Sequence, residues 1–172
     1  RHAGRLPELE SFRVADAEGV VILGKGVSEG VRASWADRDY FAQHRAQADD
    51  AIRVTKPLLG RVAQKYIVAF TLRYNHPDGR FAGVIAAPIL VDHFAQVLSR
   101  YDLGLRGSLI LRDAELGLIA RQPPIPDKPV GEIGNRGVSP ELLKLYGAGA
   151  RVTTYYTPVG ADGYERIATL RR

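Results

Sequence analysis

The chain has 172 residues, a net charge of +5, no Cys and no Met, and 45% of its residues are hydrophobic. That is an ordinary globular composition with apolar material enough for one large core or two small ones. The absence of Cys excludes disulfides, thiolate metal sites and Cys nucleophiles. The 24 Lys and Arg residues are spread along the chain, the densest cluster being Arg171-Arg172, so the charge describes a mildly basic solvated surface and not a nucleic-acid footprint.

No apolar run approaches the roughly 18 residues of a membrane span, and no signal-peptide pattern is visible. Opening on Arg1 and lacking Met, the sequence is expected to be a segment of a longer protein. Arg1 to Leu9 has no period and is expected to be the tail of an upstream element. Ser11 to Asp16 and Gly19 to Leu23 form a first hairpin around an Asp16-Ala17-Glu18-Gly19 turn. Gly24 to Ser34 is a Gly-rich loop. Asp37 is expected to cap a short helix whose Tyr40, Phe41 and His44 share a face. Ala51 to Pro57 suits a strand, and Leu58 to Gln64 a loop carrying Gly60 and Arg61.

Tyr66 to Val91 is the strongest local signal. In its first arm Tyr66, Val68, Phe70, Leu72 and Tyr74 lie on one face, and Ile67, Ala69, Thr71 and Arg73 on the other. Asn75-His76-Pro77-Asp78-Gly79 is turn chemistry. The second arm, Phe81 to Val91, is apolar at almost every position and is expected to be central and covered on both faces. Asp92 is a plausible N-cap for an amphipathic helix with Phe94, Val97, Leu98 and Tyr101, stopped by Gly104. Ser108 to Arg112 and Leu118 to Arg121 form a third hairpin, and Gln122 to Val130 is Pro-rich and extended. Pro140 to Tyr146 is a helix with Pro at its first position, and Arg151 to Thr157 with Tyr164 to Leu170 form a last hairpin.

The two halves repeat. Val14 to Val21 resembles Leu111 to Leu118, with one extra residue in the second turn, and Asp78-Gly79-Arg80-Phe81 has a counterpart in Asp162-Gly163-Tyr164-Glu165. The fold expected is α+β, two tandem units of mainly antiparallel sheet with flanking helices, 1–103 and 104–172, the second incomplete at its C-terminal end.

At Asp37-Arg38-Asp39-Tyr40-Phe41-x-x-His44, Tyr66 to Arg73, Pro77-Asp78-Gly79-Arg80-Phe81-Ala82-Gly83-Val84 and Tyr101-Asp102-Leu103-Gly104, the sequence resembles the double-Cache family. These are tandem PAS-like sensor domains outside the membrane in bacterial diguanylate cyclases, histidine kinases and chemoreceptors. The likeness extends to Asp162 to Ile167. The family's long N-terminal helix and its final strand before the second membrane helix have no match here.

The resemblance implies a periplasmic sensor, homodimeric in its parent and anchored in the inner membrane by segments outside this chain, not an enzyme. Its membrane-distal unit would bind a small carboxylate or amino acid between Arg38 to Phe41, the Gly60-Arg61 loop and the strand Tyr66 to Arg73. Arg61 or Arg73 would grip a carboxylate, Tyr40 and Tyr66 would donate hydroxyls, and Phe41 and Phe70 would supply walls. Arg38 also suits a surface ion pair. Thr71 and Arg73 point away from Tyr66 and Phe70, so either face of that strand lines the pocket. The family often has Trp near Tyr66, and the Tyr here makes the site more polar.

No cofactor is expected, and His44 and His93 lack partners at metal-ligand spacing. The sequence carries no HExxH, Walker loop, supported Ser/His/Asp set or paired carboxylates. A ligand-free dimerisation or protein-interaction module is the other reading.

Overall fold

The computed structural model describes residues 8–28 and 33–172; Arg1 to Pro7, within the first stretch considered above, lie outside them. The chain divides into two compact units, Arg1–Gln96 and Val97–Arg172. The first unit contains β1 (Arg13–Asp16), β2 (Val21–Gly24), α1 (Asp39–Ala46), β3 (Arg53–Val54), β4 (Leu58–Leu59), β5 (Tyr66–Asn75) and β6 (Phe81–Leu90). Helix α2 (Val91–Leu98) carries the chain across the division. The second unit contains β7 (Leu109–Arg112), β8 (Leu118–Gln122), α3 (Pro140–Gly147), β9 (Val152–Thr157) and β10 (Arg166–Arg171). The fold is α+β with antiparallel sheets.

The sheet of the first unit runs β2-β1-β6-β5-β3, with β4 also pairing with β5. Its centre is the long hairpin, in which Ile67 lies opposite Leu90, Thr71 opposite Ala86 and Arg73 opposite Val84. Pro77 and Asp78 form the turn; the Gly79 N–H donates to the His76 carbonyl at 2.9 Å, and Gly79 takes φ +84, the left-handed conformation that glycine accepts without strain.

One face of this sheet carries the core, where Ala15, Val21, Trp35, Phe41, Val84 and Ala86 cluster. The buried face of β5 is Ile67, Ala69, Thr71 and Arg73, while Tyr66 and Phe70 are 47% and 42% exposed. The reason is volume. Helix α1 brings Phe41 down onto Ala15, Val84 and Ala86 of the sheet, and the volume it fills leaves the same face of β5 to residues that fit around the helix. On β6, Val84 and Ala86 are buried but Ile85, Ala87 and Ile89 on the opposite face are only half-buried, so the second arm is central without being fully covered on both faces.

Three local expectations shift. Arg38, not Asp37, is the N-cap residue of α1, and no side chain caps that end; Asp37 is drawn off by an arginine described below. Helix α2 starts at Val91, so Asp92 sits in the first turn, and the helix ends at Leu98 before Gly104 is reached. Leu58 and Leu59 are strand, paired with Ile67 and Tyr66, where a loop was expected.

The repeat is visible in hydrogen bonds. Asp16 Oδ1 accepts from the backbone N–H groups of Glu18 and Val20 at 3.1 and 2.8 Å. Asp113 Oδ1 accepts from Glu115 and Gly117, both at 2.8 Å. The Gly19 N–H donates to the Asp16 carbonyl and the Leu116 N–H to the Asp113 carbonyl, each at 3.0 Å. Gly19 and Leu116 both take positive φ, +86 and +66. The two turns therefore have equal length. Leu116 stands where Gly19 stands, and the extra residue read from the sequence came from aligning glycine with glycine. The Gly163 N–H donates to the Gly160 carbonyl at 2.9 Å, as Gly79 does to His76.

The second unit has β7 paired with β8 and β9 with β10 as separate two-stranded sheets. Helix α3 begins as its sequence dictates, with Pro140 in the first turn and the Ser139 hydroxyl accepting from the Leu142 N–H.

Candidate functional site

A cleft in the first unit is lined by Arg13, Trp35, Arg38, Tyr40, Leu58, Gly60, Arg61, Val62, Ala63 and Ile67. It lies between the start of α1, β1 and the segment from β4 to β5. It measures about 280 Å³ counting space open to solvent, of which about 20 Å³ admits the centre of a water. The tight part holds little more than one ordered water.

Its walls are aromatic and cationic. Trp35, the chain's only Trp, packs edge-on against Tyr40 with ring centroids 6.0 Å apart. Burial pushes the Tyr40 phenol well above its ordinary pKa, the nearby Arg38 and Arg61 only partly offsetting it, so the group is a neutral hydroxyl donor. Arg61 grips Asp37 with two parallel bonds, Nη1 to Oδ1 and Nη2 to Oδ2, both 2.6 Å, and also donates to the Ser34 carbonyl. This hydrogen-bonded pairing holds the Asp37 carboxyl down at about 2. Arg13 is bound by Glu10 at 2.7 Å and donates Nε to the Lys25 carbonyl at 3.1 Å.

Arg38 differs from both. Its Nη2 donates to the Leu59 carbonyl at 2.9 Å, and its Nε is buried with no partner among the described residues. No carboxylate pairs with it among those residues. A buried, unsatisfied N–H on a cation is costly, and it leaves Arg38 with a free donor that an acceptor, most strongly a charged one, would satisfy.

Of the residues expected to bind a ligand, the fold brings Arg38, Tyr40 and Arg61 together in the cleft. Phe41 is fully buried in the core, edge-on to Phe81 at 5.6 Å, and does not line it. Tyr66 and Phe70 face the other side of the sheet. Thr71 and Arg73 share a face with Ile67 but lie farther along β5, where α1 covers them.

Those two residues have structural work to do. The Arg73 Nη1 donates to the carbonyls of His44 and Arg45 at 2.6 and 3.2 Å, capping the last turn of α1, and its Nε donates to Asn75 Oδ1 at 2.7 Å. Thr71 Oγ1 donates to the Arg53 carbonyl at 3.1 Å and so accepts from His44 Nε2 at 2.9 Å. Arg53 Nη1 donates to His44 Nδ1 at 3.1 Å. The network is satisfied by the neutral Nε2–H tautomer alone.

Burial, and then the Arg53 charge, hold His44 below its ordinary pKa. The folded state therefore binds this proton less well than the unfolded chain, whose histidine titrates near about 6.5. The contribution of His44 is complete above that pH and is lost as pH falls through and below it. Thermal unfolding as a function of pH is expected to show a steeper acid-side fall for the wild type than for His44→Gln; parallel curves would contradict the assignment.

Trp35, Arg13, Leu58, Val62 and Ala63 were not anticipated. Trp35 had a signal, a lone Trp two residues before the Asp-Arg-Asp-Tyr-Phe run; the others depend on chain reversals that no local pattern encodes.

No protein-family model and no curated protein matches the sequence. Solved structures do. The extracellular domain of rpHK1S-Z16, assigned as a histidine kinase, is 26% identical and superposes with a TM-score of 0.84 over 99% of this chain and 68% of that one. The ligand-binding domain of the Pseudomonas fluorescens chemoreceptor CtaA, in complex with L-valine, is 14% identical with a TM-score of 0.56 over 99% and 74%. That of the Campylobacter jejuni chemoreceptor Tlp3, in complex with 4-methylisoleucine, is 15% identical with a TM-score of 0.54 over 86% and 56%. The chain thus spans little over half the length of the Tlp3 domain. These neighbours are extracellular or ligand-binding domains of sensory proteins, and this chain shares their fold.

Proposed function

We propose that the chain is the extracytoplasmic sensory domain of a bacterial inner-membrane signalling protein of the double-Cache type. Its first unit, membrane-distal, binds a small carboxylate or amino acid. Its second unit, membrane-proximal, leads toward the membrane. The signal passes to a cytoplasmic output domain, a histidine kinase or a diguanylate cyclase, in a parent that is homodimeric and anchored by segments outside this chain.

The observation that carries the binding reading is Arg38, a cation in an aromatic cleft with a buried Nε–H and no carboxylate partner among the described residues. The amino acids bound by CtaA and Tlp3 support the ligand class. Arg61 is a secondary candidate, because a ligand must displace Asp37 to reach it. Tyr40 supplies a hydroxyl and Trp35 a wall.

A screen of amino acids and small carboxylates by thermal unfolding tests this. Ligand at a 100-fold excess over Kd stabilises by about 2.7 kcal/mol, a rise of roughly 5–10 °C in Tm for a chain of this size. The same ligand is expected to change Trp35 fluorescence, and Arg38→Ala is expected to abolish both responses. A screen with no shift and no copurifying ligand sinks the proposal. The narrowness of the cleft's enclosed part favours a second reading, a ligand-free dimerisation or interaction module, and that negative screen is the result it predicts.

A further inference from the structure

The cleft beside α1 is selective through what its walls lack. The guanidinium groups of Arg13, Arg38 and Arg61 line it, and no Asp or Glu stands among the lining residues. Two carboxylates act on it from outside the lining. Glu10 pairs with Arg13 at 2.7 Å. Asp37 pairs with Arg61 through both of its oxygens, and its carboxyl is held down first by Arg61 and only last by Arg38. Arg38 is the cation left over, its Nη2 on the Leu59 carbonyl and its buried Nε–H without a partner among the described residues.

Acceptors for a ligand cation are equally scarce. The Ser34 and Leu59 carbonyls already accept from the Arg61 and Arg38 side chains, those of Trp35 and Gly60 from the backbone N–H groups of Arg38 and Gln64, and that of Arg61 from the Gln64 side chain. The Tyr40 hydroxyl is the one side-chain oxygen among the lining residues, and burial keeps it protonated, so it donates to an anion. Leu58, Val62, Ala63 and Ile67 add apolar surface. The tight part holds little more than one water, which suits a short chain. An ammonium on the carbon next to a bound carboxylate would lie within a few ångströms of the Arg38 charge, and like charges so close in a partly desolvated cleft repel strongly.

Resting on the reading of this cleft as a carboxylate site, we propose that its ligand is a short-chain monocarboxylate without an ammonium group, and that the cleft rejects the α-amino acid of the same skeleton. A hydroxyl in place of the amine carries no charge and is accepted.

The test is a titration of propionate, L-lactate and L-alanine, which share one skeleton, and of butyrate, 2-hydroxybutyrate and 2-aminobutyrate, which share the next longer one. Each is added to the whole chain at neutral pH and constant ionic strength, and the fluorescence of Trp35, the chain's only Trp, is read. Saturable binding of the unsubstituted and hydroxy acids is expected, with the amino acid of each series at least about tenfold weaker, and Arg38→Ala is expected to abolish the response. An amino acid that binds as tightly as its unsubstituted counterpart overturns the proposed exclusion and leaves the cleft standing as a carboxylate site. Loss of the hydroxy acids along with the amino acids shows that size and not charge excludes the amine, and overturns the assignment to the cationic lining. Silence from all six overturns the monocarboxylate class, and the broader screen of amino acids and carboxylates then decides separately whether the cleft binds any ligand.

Discussion

Phe41→Ala is expected to lower the stability of the first unit by about 3–5 kcal/mol, the range for removing a fully buried Phe. At about 2–4 °C per kcal/mol this is a fall of roughly 6–20 °C in Tm. Phe41 is fully buried and lies in one cluster with Ala15, Val84 and Ala86 of the sheet beneath it. Its ring meets Phe81 edge-on at an interplanar angle of 73°, and the Arg45 guanidinium lies 5.0 Å from its centroid. Most of these sheet neighbours are too small to move into the vacated space, so a cavity persists. Phe41→Leu keeps more of the volume and is expected to cost much less. Unfolding followed by Trp35 fluorescence reports on this unit directly. A loss below about 1 kcal/mol would mean that Phe41 is a removable pocket wall after all.

Gly83→Ala is the second large effect. Gly83 lies on β6 opposite Asp16 of β1 and Tyr74 of β5, with φ +148. A Cβ there would sit 1.9 Å from the Ala15 carbonyl oxygen and 2.8 Å from the Tyr74 ring. The first obstacle is backbone and cannot rotate away. Relief requires β1 to separate from β6, which moves Arg13 out of the cleft wall. Overpacking and backbone strain together put the cost at about 3 kcal/mol or more. The carbonyl stretch of the sheet and the melting temperature are both expected to change. Gly79→Ala is the control: its Cβ meets nothing within 4 Å, and only the positive φ opposes it. Equal losses for the two variants would show that the close approach of β1 to β6 is not the determinant.

Both predictions concern the scaffold that presents Arg38, and they separate scaffold from ligand chemistry. Arg38→Ala is expected to leave the melting temperature of the free protein nearly unchanged while removing the response to ligand, because its one described bond goes to a backbone carbonyl in a partly exposed setting. Scaffold variants are expected to do the reverse at temperatures below their own transitions. The acid sensitivity of His44 belongs to the scaffold as well, since its network joins α1 to β5 and β3 without entering the cleft.

Much of the fold is local chemistry and was legible without coordinates. Asp opening the turns at 16–20 and 113–117 and Asp-Gly closing those at 76–80 and 160–164 marked the reversals, and a period of two with a Pro-Asp-Gly break made the long hairpin. Pro140 after Ser139 started α3. These signals act within a few residues, so the sequence displays them. The site depended on pairings that the sequence does not display. Asp37 meets Arg61 across 24 positions, which removes it from the helix cap and engages an arginine expected to be free. Arg73 reaches α1 across 29 positions and becomes a cap for carbonyls instead of a grip for a ligand.

The alternation along β5 determined by itself that Tyr66 and Phe70 oppose Thr71 and Arg73. Only the tertiary structure decided which face is inside. Helix α1 settles on the Thr71 and Arg73 face because those two side chains satisfy His44 Nε2–H and the carbonyls at the end of the helix, while Phe41 packs over Ala15, Val84 and Ala86.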